Sequence, residues 1–320
     1  MTKILDEKRR SIDFSHQPLG TALQMQDMGV RMRAHVGDFV SGLMLGTRTL
    51  HLPALPVPWV SQGDGHFHLA PQLFMQIAGW TRFRFPHAVV TLQAGEAMLI
   101  PSKLMHLEEV GPGSAGEPFC NAIVFAEDGA VSCHLAHEVS PGTPAVMYLE
   151  GYHNPQALRI ETWLDDASKL AMVNTEQPIS DWMMVQARAL VASVLACVLR
   201  TLDEEKAESS EPALITRARV LVQNDLVNHQ LSVQAIATQL GCTADYLSHL
   251  FYEVTGEHLV ASINRQRIAR AATLLKESPL SGKEVAWACG FVSQSYFIKI
   301  FRAYFNMTPM VWRAEHATVS

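Results

Sequence analysis

The fold of the C-terminal part is decided by Val285-Ala286-Trp287-Ala288-Cys289-Gly290-Phe291, which is followed by Tyr296-Phe297-Ile298-Lys299-Ile300-Phe301. The same pattern occurs upstream as Ile236-Ala237-Thr238-Gln239-Leu240-Gly241-Cys242, followed by Tyr246-Leu247-Ser248-His249-Leu250-Phe251. In each copy a Gly follows a short apolar stretch, where it can adopt a positive φ and end a helix. An aromatic-apolar pair then precedes a Phe at helical spacing. The sequence therefore predicts two helix-turn-helix units in register, an arrangement that can reach successive major grooves of duplex DNA.

Helical periodicity continues through the rest of the C-terminal part. Ser281 and Glu284 fit a capping box, and Thr308-Pro309 fits an N-cap followed by a proline in the first turn. We therefore predict an all-helical domain with helices at Ala213–Asn228, Ser232–Leu240, Thr243–Thr255, His258–Glu277, Ser281–Cys289, Ser293–Phe305 and Thr308–Glu315.

The second helix of each unit has an apolar face and a polar face. The apolar positions predicted to be buried are Leu247, Leu250, Phe251 and Val254 in the first unit, and Phe297, Ile300, Phe301 and Tyr304 in the second. Outward-facing Gln, Ser, His and Lys side chains can read base edges, and Arg or Tyr can hold phosphates. The predicted DNA contacts are Asp245, Ser248, His249, Tyr252, Gln294, Ser295, Ile298, Lys299 and Arg302.

Residues 213–313 resemble the AraC/XylS family of bacterial transcription regulators. The resemblance rests on Ala286-x-x-x-Gly290-Phe291-x-Ser293-Gln294-Ser295-Tyr296-Phe297-x-x-x-Phe301-Arg302, on Thr308-Pro309 and Trp312-Arg313, and on Arg267-x-x-Arg270-Ala271-x-x-Leu274-Leu275 in the helix between the units. It implies sequence-specific binding of double-stranded DNA, with RNA polymerase as a partner if the protein is an activator. The chain departs from the family at His258-Leu259, where Ser-Pro is common, and in the acidic Asp245 and Glu253 of the first recognition helix.

The length of 320 residues predicts about two domains. The net charge is −6, but the segment from Pro212 onward has ten Lys/Arg against seven Asp/Glu, a net +3, and the remainder is −9. A mildly basic C-terminal domain suits DNA contact through a restricted surface. Arg188 and Arg200 interrupt the longest apolar stretch, and residues 1–8 lack an apolar signal core, so we expect a cytoplasmic protein with no membrane span.

A charged, apolar-poor stretch at 203–212 is predicted to link a domain at 1–202 to a DNA-binding domain at 213–320. Two helices are predicted before it, at Ala157–Met172 and Trp182–Leu202. The second has apolar residues at helical spacing over its whole length, so it must pack against something. The sequence leaves open whether that surface is an intradomain core or a homodimer interface.

Residues 39–148 contain short apolar runs punctuated by Gly and Pro, which favour an antiparallel sandwich or barrel. The runs are Leu73–Ile77, Thr81–Phe85, Val89–Leu92, Ala97–Ile100 and Ala122–Phe125. His66-Phe67-His68, Gln72, Gly95, Pro101 and His106 resemble the two motifs of the cupin barrel, with Gln72 where a Glu is usual. The predicted fold class is α+β in two domains: an N-terminal cupin-like β-barrel with helices and a C-terminal all-α tandem helix-turn-helix.

The N-terminal histidines suggest two uses. His66 and His68 would share one face of a strand, so His66, His68 and His106 could hold a divalent transition metal with Gln72 as a weak ligand. The amide at position 72 removes charge that favours a cation, so we favour a small organic effector instead. The predicted effector pocket is His66, His68, Gln72, Phe74, Trp80 and His106. Arg82 and Arg84 alternate with Phe83 and Phe85, and a solvated strand face is the commoner arrangement.

The leading hypothesis is a non-enzymatic, effector-responsive transcription regulator that binds DNA and forms a homodimer. The alternative is a metal-dependent cupin enzyme, or a metal sensor, fused to a DNA-binding domain. An enzyme needs an open metal site with an acid or base beside it, and no second catalytic group is recognisable.

Overall fold

A computed structural model describes residues 22–53, 67–68, 70–127, 129–153, 155–172, 180–208, 212–278 and 280–316. The chain divides into two compact units, Met1–Ser210 and Glu211–Ser320. The first combines helices and sheets, and the second consists of helices. The mixed fold with a helical C-terminal domain is therefore as the sequence predicts.

The described strands of the first unit form two sheets. Their bounds are β1 Leu50–His51, β2 Gln72–Ala78, β3 Trp80–Arg84, β4 Val89–Gln93, β5 Ala97–Ile100, β6 Leu107–Gly111, β7 Cys120–Glu127, β8 Ala130–Ser140 and β9 Thr143–His153. One sheet has the order β1-β5-β2-β7-β8-β9 and the other β4-β3-β6. Neighbouring strands are antiparallel apart from the short parallel pair β1-β5. The described strands thus form two separate sheets, and a closed barrel is not present among them.

The two faces of the six-stranded sheet contact different partners, because successive side chains of a strand point to opposite sides. One face, with Leu73 and Val124, packs in a common core with the helices of the unit. The opposite face is directed toward the three-stranded sheet, and we call it the inner face. Phe74 on β2 lies there with its ring 4.9 Å from that of Phe83 on β3, edge to face. Ala136 on β8 clusters with Val110 on β6.

Three α-helices lie within the described residues of the first unit: α1 Ala22–Leu45, α2 Ala157–Lys169, which continues as a 3-10 turn to Met172, and α3 Asp181–Glu208. The expectation that the β region starts at residue 39 is wrong, because α1 extends to Leu45. Met32, Val36, Phe39 and Leu43 are buried and recur every three or four residues, which is the spacing of one helix face.

The apolar face of α3 belongs to the core of its own unit. Val191, Leu195 and Leu202 are fully buried, and α3 packs on α1 and α2. A homodimer interface built from these residues is therefore excluded, and the intradomain alternative is correct. By length and composition alone, Asp181–Asp203 would suffice to cross a membrane, so the expectation that no stretch qualifies is wrong. In the structure, the buried face of α3 packs in the core of the first unit.

The helix α3 continues to Glu208, into the stretch expected to be a linker. Glu, Lys and Ala are strong helix formers, so a segment with few apolar residues can still extend an existing helix. Low apolar content was therefore a poor guide to where the helix ends.

The second unit contains seven helices within its described residues: α4 Ala213–Asn224, α5 Val233–Leu240, α6 Ala244–Thr255, α7 Leu259–Glu277, α8 Gly282–Ala288, α9 Gln294–Phe305 and α10 Pro309–His316. All seven predicted helices are present. The first ends at Asn224 rather than Asn228, and the others agree within one or two residues. The predicted capping box of Ser281 and Glu284 is confirmed, and Pro309 starts α10.

Candidate functional site

Each helix-turn-helix unit is built by local capping. In the first unit the Ser232 and Thr243 side chains accept hydrogen bonds from the backbone at the starts of α5 and α6, and Gly241 ends α5 with φ +70°. In the second unit Ser281 and Ser293 cap α8 and α9 in the same way. Gly290, with φ +80°, follows the end of α8. The turn between the helices therefore depends on a residue that tolerates a left-handed conformation.

The second helix of each unit buries one face and exposes the other. Leu247 and Phe251 of α6 are fully buried, and Phe297 and Phe301 occupy the matching positions of α9. Two residues predicted to be buried are exposed: Val254, and Tyr304, whose hydroxyl donates to the Ala261 carbonyl at 3.2 Å. Both lie in the last turn of their helix.

The outward face of α9 is polar and accessible. The exposed side chains include every predicted contact of this helix: Gln294, Ser295, Ile298, Lys299 and Arg302. Within the described residues, Lys299 and Arg302 form no ion pair. Gln294 and Ser295 lie in the first turn, and in helix-turn-helix proteins base contacts come from the N-terminal part of the recognition helix.

The outward face of α6 differs in charge. Asp245, His249 and Tyr252 are exposed and Ser248 is half-buried. His249 Nε2 lies 3.2 Å from a carboxylate oxygen of Glu253. The Tyr252 ring stacks on that of His258 at 4.6 Å. Because two carboxylates share this face, it attracts phosphates less than the face of α9 does.

The two units are joined by Arg267 of α7, which is almost completely buried. Its Nε donates to the Leu226 carbonyl at 2.9 Å and its Nη2 to the Asn228 carbonyl at 2.8 Å, both in the turn that precedes the first unit. The guanidinium also lies over the Phe291 ring, 5.7 Å from its centroid, in the turn of the second unit. Burial lowers the pKa of this guanidinium. Arg267 thus ties the turn before α5 to the turn before α9.

Two further contacts support the same junction. The His229 ring lies 3.8 Å from that of Trp287 on α8. A Cβ on Gly290 would lie 2.6 Å from the Leu226 carbonyl oxygen and 2.9 Å from Arg267 Nη2, so the turn can approach this closely only because residue 290 has no side chain. Sequence reasoning missed this junction. The available signal was that Arg267 stands at helical spacing from Ile263, Ala271 and Leu274, which are buried.

The residues predicted to form an effector pocket are only partly brought together. Gln72 and Phe74 lie on the inner face, and His106 is buried beside Phe83 and Phe85, with ring distances of 6.1 and 6.3 Å. The His68 ring lies 5.6 Å from that of His106. His66 lies outside the described residues.

Trp80 does not belong to this group. It lies on the outer face of the three-stranded sheet, where Arg82 covers its ring at 5.1 Å, because Thr81 and Phe83 are the inward residues of β3. Arg82 and Arg84 also lie on that outer face and pair with Glu109 at 3.6 and 3.1 Å.

A charged group that sequence reasoning missed lies beside His106. The His106 Nδ1 is 2.8 Å from the Leu104 carbonyl, and its Nε2 is 3.5 Å from the Glu108 carboxylate, which is itself largely buried. In the described part of the chain no group of three or more His, Cys, Asp or Glu side chains is arranged to hold a metal ion. The three-histidine metal hypothesis involves His66 and so extends beyond these residues.

Sequence reasoning also missed three buried polar residues of the inner face: Asn121 on β7, and Ser132 and His134 on β8. Their side chains point to the same side as Phe125, whose ring lies 6.3 Å from that of His134. Burial lowers the pKa of His134 to about 4. The signal was present in the sequence as polar residues at alternate positions of otherwise apolar strands.

The second unit is therefore a tandem helix-turn-helix domain with two exposed recognition helices. Residues 236–315 match the family model described as a helix-turn-helix domain. The transcriptional activator AarP of Providencia stuartii is 32% identical over 103 residues, which cover 32% of this chain and 76% of AarP.

YijO of Escherichia coli strain K12, an uncharacterized regulator of the same type, is 32% identical over 131 residues, which cover 41% of this chain. The matched part is 46% of YijO, less than half of that protein's length. A solved transcriptional regulator from Chromobacterium violaceum, described as AraC-type, is 30% identical over 33% of this chain and 95% of that one, with a TM-score of 0.30. The chain belongs to the AraC-type family of helix-turn-helix transcriptional regulators.

Proposed function

We propose that the protein is a sequence-specific DNA-binding transcription regulator in which α6 and α9 enter successive major grooves. The observation that carries the proposal is the pair of matching exposed helix faces, joined through the buried Arg267. A junction fixed in this way would hold the two recognition helices at one spacing. In this proposal Gln294, Ser295 and Lys299 read bases, and Arg302 holds the backbone.

Selection of DNA from a random duplex library by the full-length protein tests this function. We expect one extended site, and an affinity that falls with salt at a slope of about −0.9 per phosphate contact. Lys299→Gln should weaken binding, whereas the matched change Lys169→Gln, in the other unit, should not. A folded protein that enriches no sequence, or equal effects of the two substitutions, would contradict the proposal.

We further propose that a small molecule bound between the two sheets controls DNA binding. Supporting observations are the buried polar and aromatic residues of the inner face, including Gln72, Phe74 and His106. The residues around His68 and His106 are those that resemble the cupin motifs. A ligand can act only through different affinities for two conformations, so the site must favour one DNA-binding state. A regulator of this kind would act in the cytoplasm, with RNA polymerase as a partner at activated promoters.

A homodimer remains part of the proposal, but through the outward face of α3 rather than its core face. Trp182 is 83% exposed and Val185 is 54% exposed, and Ala196 lies further along the same side. Sedimentation of the full-length protein tests this. Ala196→Arg should give monomers of normal stability, whereas Leu195→Arg should unfold the unit, because residue 195 is in the core. A wild-type protein that sediments as a monomer at high concentration removes the dimer from the proposal.

A further inference from the structure

The inner face of the six-stranded sheet contains buried polar side chains of two kinds. At the β2 side the groups are paired with each other. Thr81 Oγ1 donates to Gln76 Oε1 at 2.7 Å, and Gln76 Nε2 donates to the carbonyls of Ala78 at 2.8 Å and Cys120 at 3.4 Å. Gln76 and Thr81 are both fully buried. These two residues therefore have a complete structural role.

On β7 and β8 the polar groups are not paired within the protein. Asn121 Oδ1, Ser132 Oγ and His134 Nδ1 are buried without a hydrogen-bond partner, and the three residues are 1%, 2% and 4% exposed. We call these three residues the polar row. They lie on one face, because Asn121 pairs across the strands with Ala136, and Ser132, His134 and Ala136 alternate along β8.

Leaving buried polar groups without partners is costly, so folded proteins rarely keep three together. The cost is understandable if an external molecule supplies the partners. A hydroxyl at residue 132 and an imidazole at residue 134 can donate or accept, and the amide oxygen at residue 121 can only accept. A ligand that satisfies all three must itself have more than one hydrogen-bonding group.

We propose that the polar row binds an uncharged molecule that has several hydroxyl or amide groups, between the β7–β8 face and the three-stranded sheet. This inference rests on the proposed effector function and specifies its ligand class. Phe74 and Phe125 lie on the same face and supply apolar contact beside the polar row.

The charges around the inner face argue against an anionic ligand. Arg82 and Arg84 are on the outer face and are paired with Glu109. The described ionisable side chains placed at or beside the interior include His68, His106, His134 and Glu108, and the last is a carboxylate. Because burial lowers the pKa of His134 to about 4, its imidazole is neutral near pH 7. A carboxylate ligand would therefore find no cation at the polar row.

The first experiment needs no ligand and uses thermal unfolding of the full-length protein. Asn121→Leu and Ser132→Ala replace unpaired polar groups by apolar ones, so each should raise the midpoint of the N-terminal transition, by about 2–4 °C. Gln76→Leu is the matched control on the same face. It should lower the midpoint, because it leaves the Thr81 hydroxyl without its acceptor. An unchanged or lower midpoint for Asn121→Leu and Ser132→Ala would mean that these groups are structural, for example through bridging water, and would overturn the proposal.

The second experiment adds probes to the same protein: xylitol, ribose and myo-inositol as uncharged compounds, and benzoate and succinate as carboxylates. Binding to the native state raises the midpoint. We expect shifts from the uncharged set alone, and their loss in Asn121→Leu. A shift from a carboxylate that persists in Asn121→Leu overturns the polar-row assignment while leaving effector binding in place. If neither set of probes raises the unfolding midpoint, the first experiment decides whether the polar-row assignment stands. Selection of DNA by the same variants reports separately on the regulator function.

Discussion

Replacing Gly290 by Ala should damage the junction between the two helix-turn-helix units far more than the same change at Gly241. Both glycines have a positive φ, +80° and +70°. A left-handed conformation costs an L-residue about 1–2 kcal/mol. At Gly241 nothing lies within 4 Å of an added Cβ, so that strain is the whole cost.

At Gly290 the added Cβ would also lie 2.6 Å from the Leu226 carbonyl oxygen and 2.9 Å from Arg267 Nη2. One of these groups must move, and Arg267 donates to that same carbonyl. A hydrogen bond from a charged group is worth about 1.5–3 kcal/mol. The total expected for Gly290→Ala is therefore about 2.5–5 kcal/mol, against about 1–2 kcal/mol for Gly241→Ala.

Hydrogen exchange of the full-length protein measures this difference locally, which matters because a chain of two units does not unfold in one step. Amides of α7 and α8 should exchange faster in Gly290→Ala, by tenfold for about each 1.4 kcal/mol lost. The variant should also bind the two-groove DNA site less tightly, because the spacing of α6 and α9 is no longer fixed. Equal loss of protection in the Gly290 and Gly241 variants would refute the close approach and, with it, the junction.

Three further predictions concern the second unit. Gln294→Ala should cost about 1–3 kcal/mol of DNA binding and relax one position of the selected site, whereas Arg302→Ala should weaken all sequences alike; the reverse result in a selection experiment would refute the orientation of α9. Asp245→Asn should tighten binding to any duplex, measured by titration at fixed salt, because it removes a negative charge from the face of α6; loss of recognition would instead identify Asp245 as a base contact. Burial raises the pKa of Asp225 to about 7 from its usual 3.8, so its contribution to stability is fully present below pH 3.8 and is lost as the pH rises toward 7. Asp225→Asn should remove that part of the pH dependence in urea unfolding, and an unchanged pH profile would contradict the assignment.

The second unit is predictable from the sequence because its signals are local. Ser281 with Glu284 defines a capping box, Gly290 marks a turn, and Phe297 with Phe301 defines a buried helix face, each within a few residues. The first unit is less predictable because its strands are defined by pairing with distant residues. β2, for example, pairs with β7, which places Gln72 opposite Phe125, and no short-range pattern specifies that pairing.

The candidate sites differ in the same way, because some depend on local spacing and others on contacts between residues far apart in the sequence. Exposure of Gln294, Lys299 and Arg302 follows from helical spacing alone, so those residues could be proposed from the sequence. The junction at Arg267 depends on a contact with Leu226, 41 residues away, and the polar row depends on the register that brings Asn121 next to β8. Only the fold reveals that the His134 and Asn121 side chains are buried without partners while Gln76 and Thr81 on the same face are paired. A buried polar residue that stabilises the fold has hydrogen-bond partners within the protein, and one proposed to bind a ligand does not. The order of residues along a strand does not determine which of the two applies.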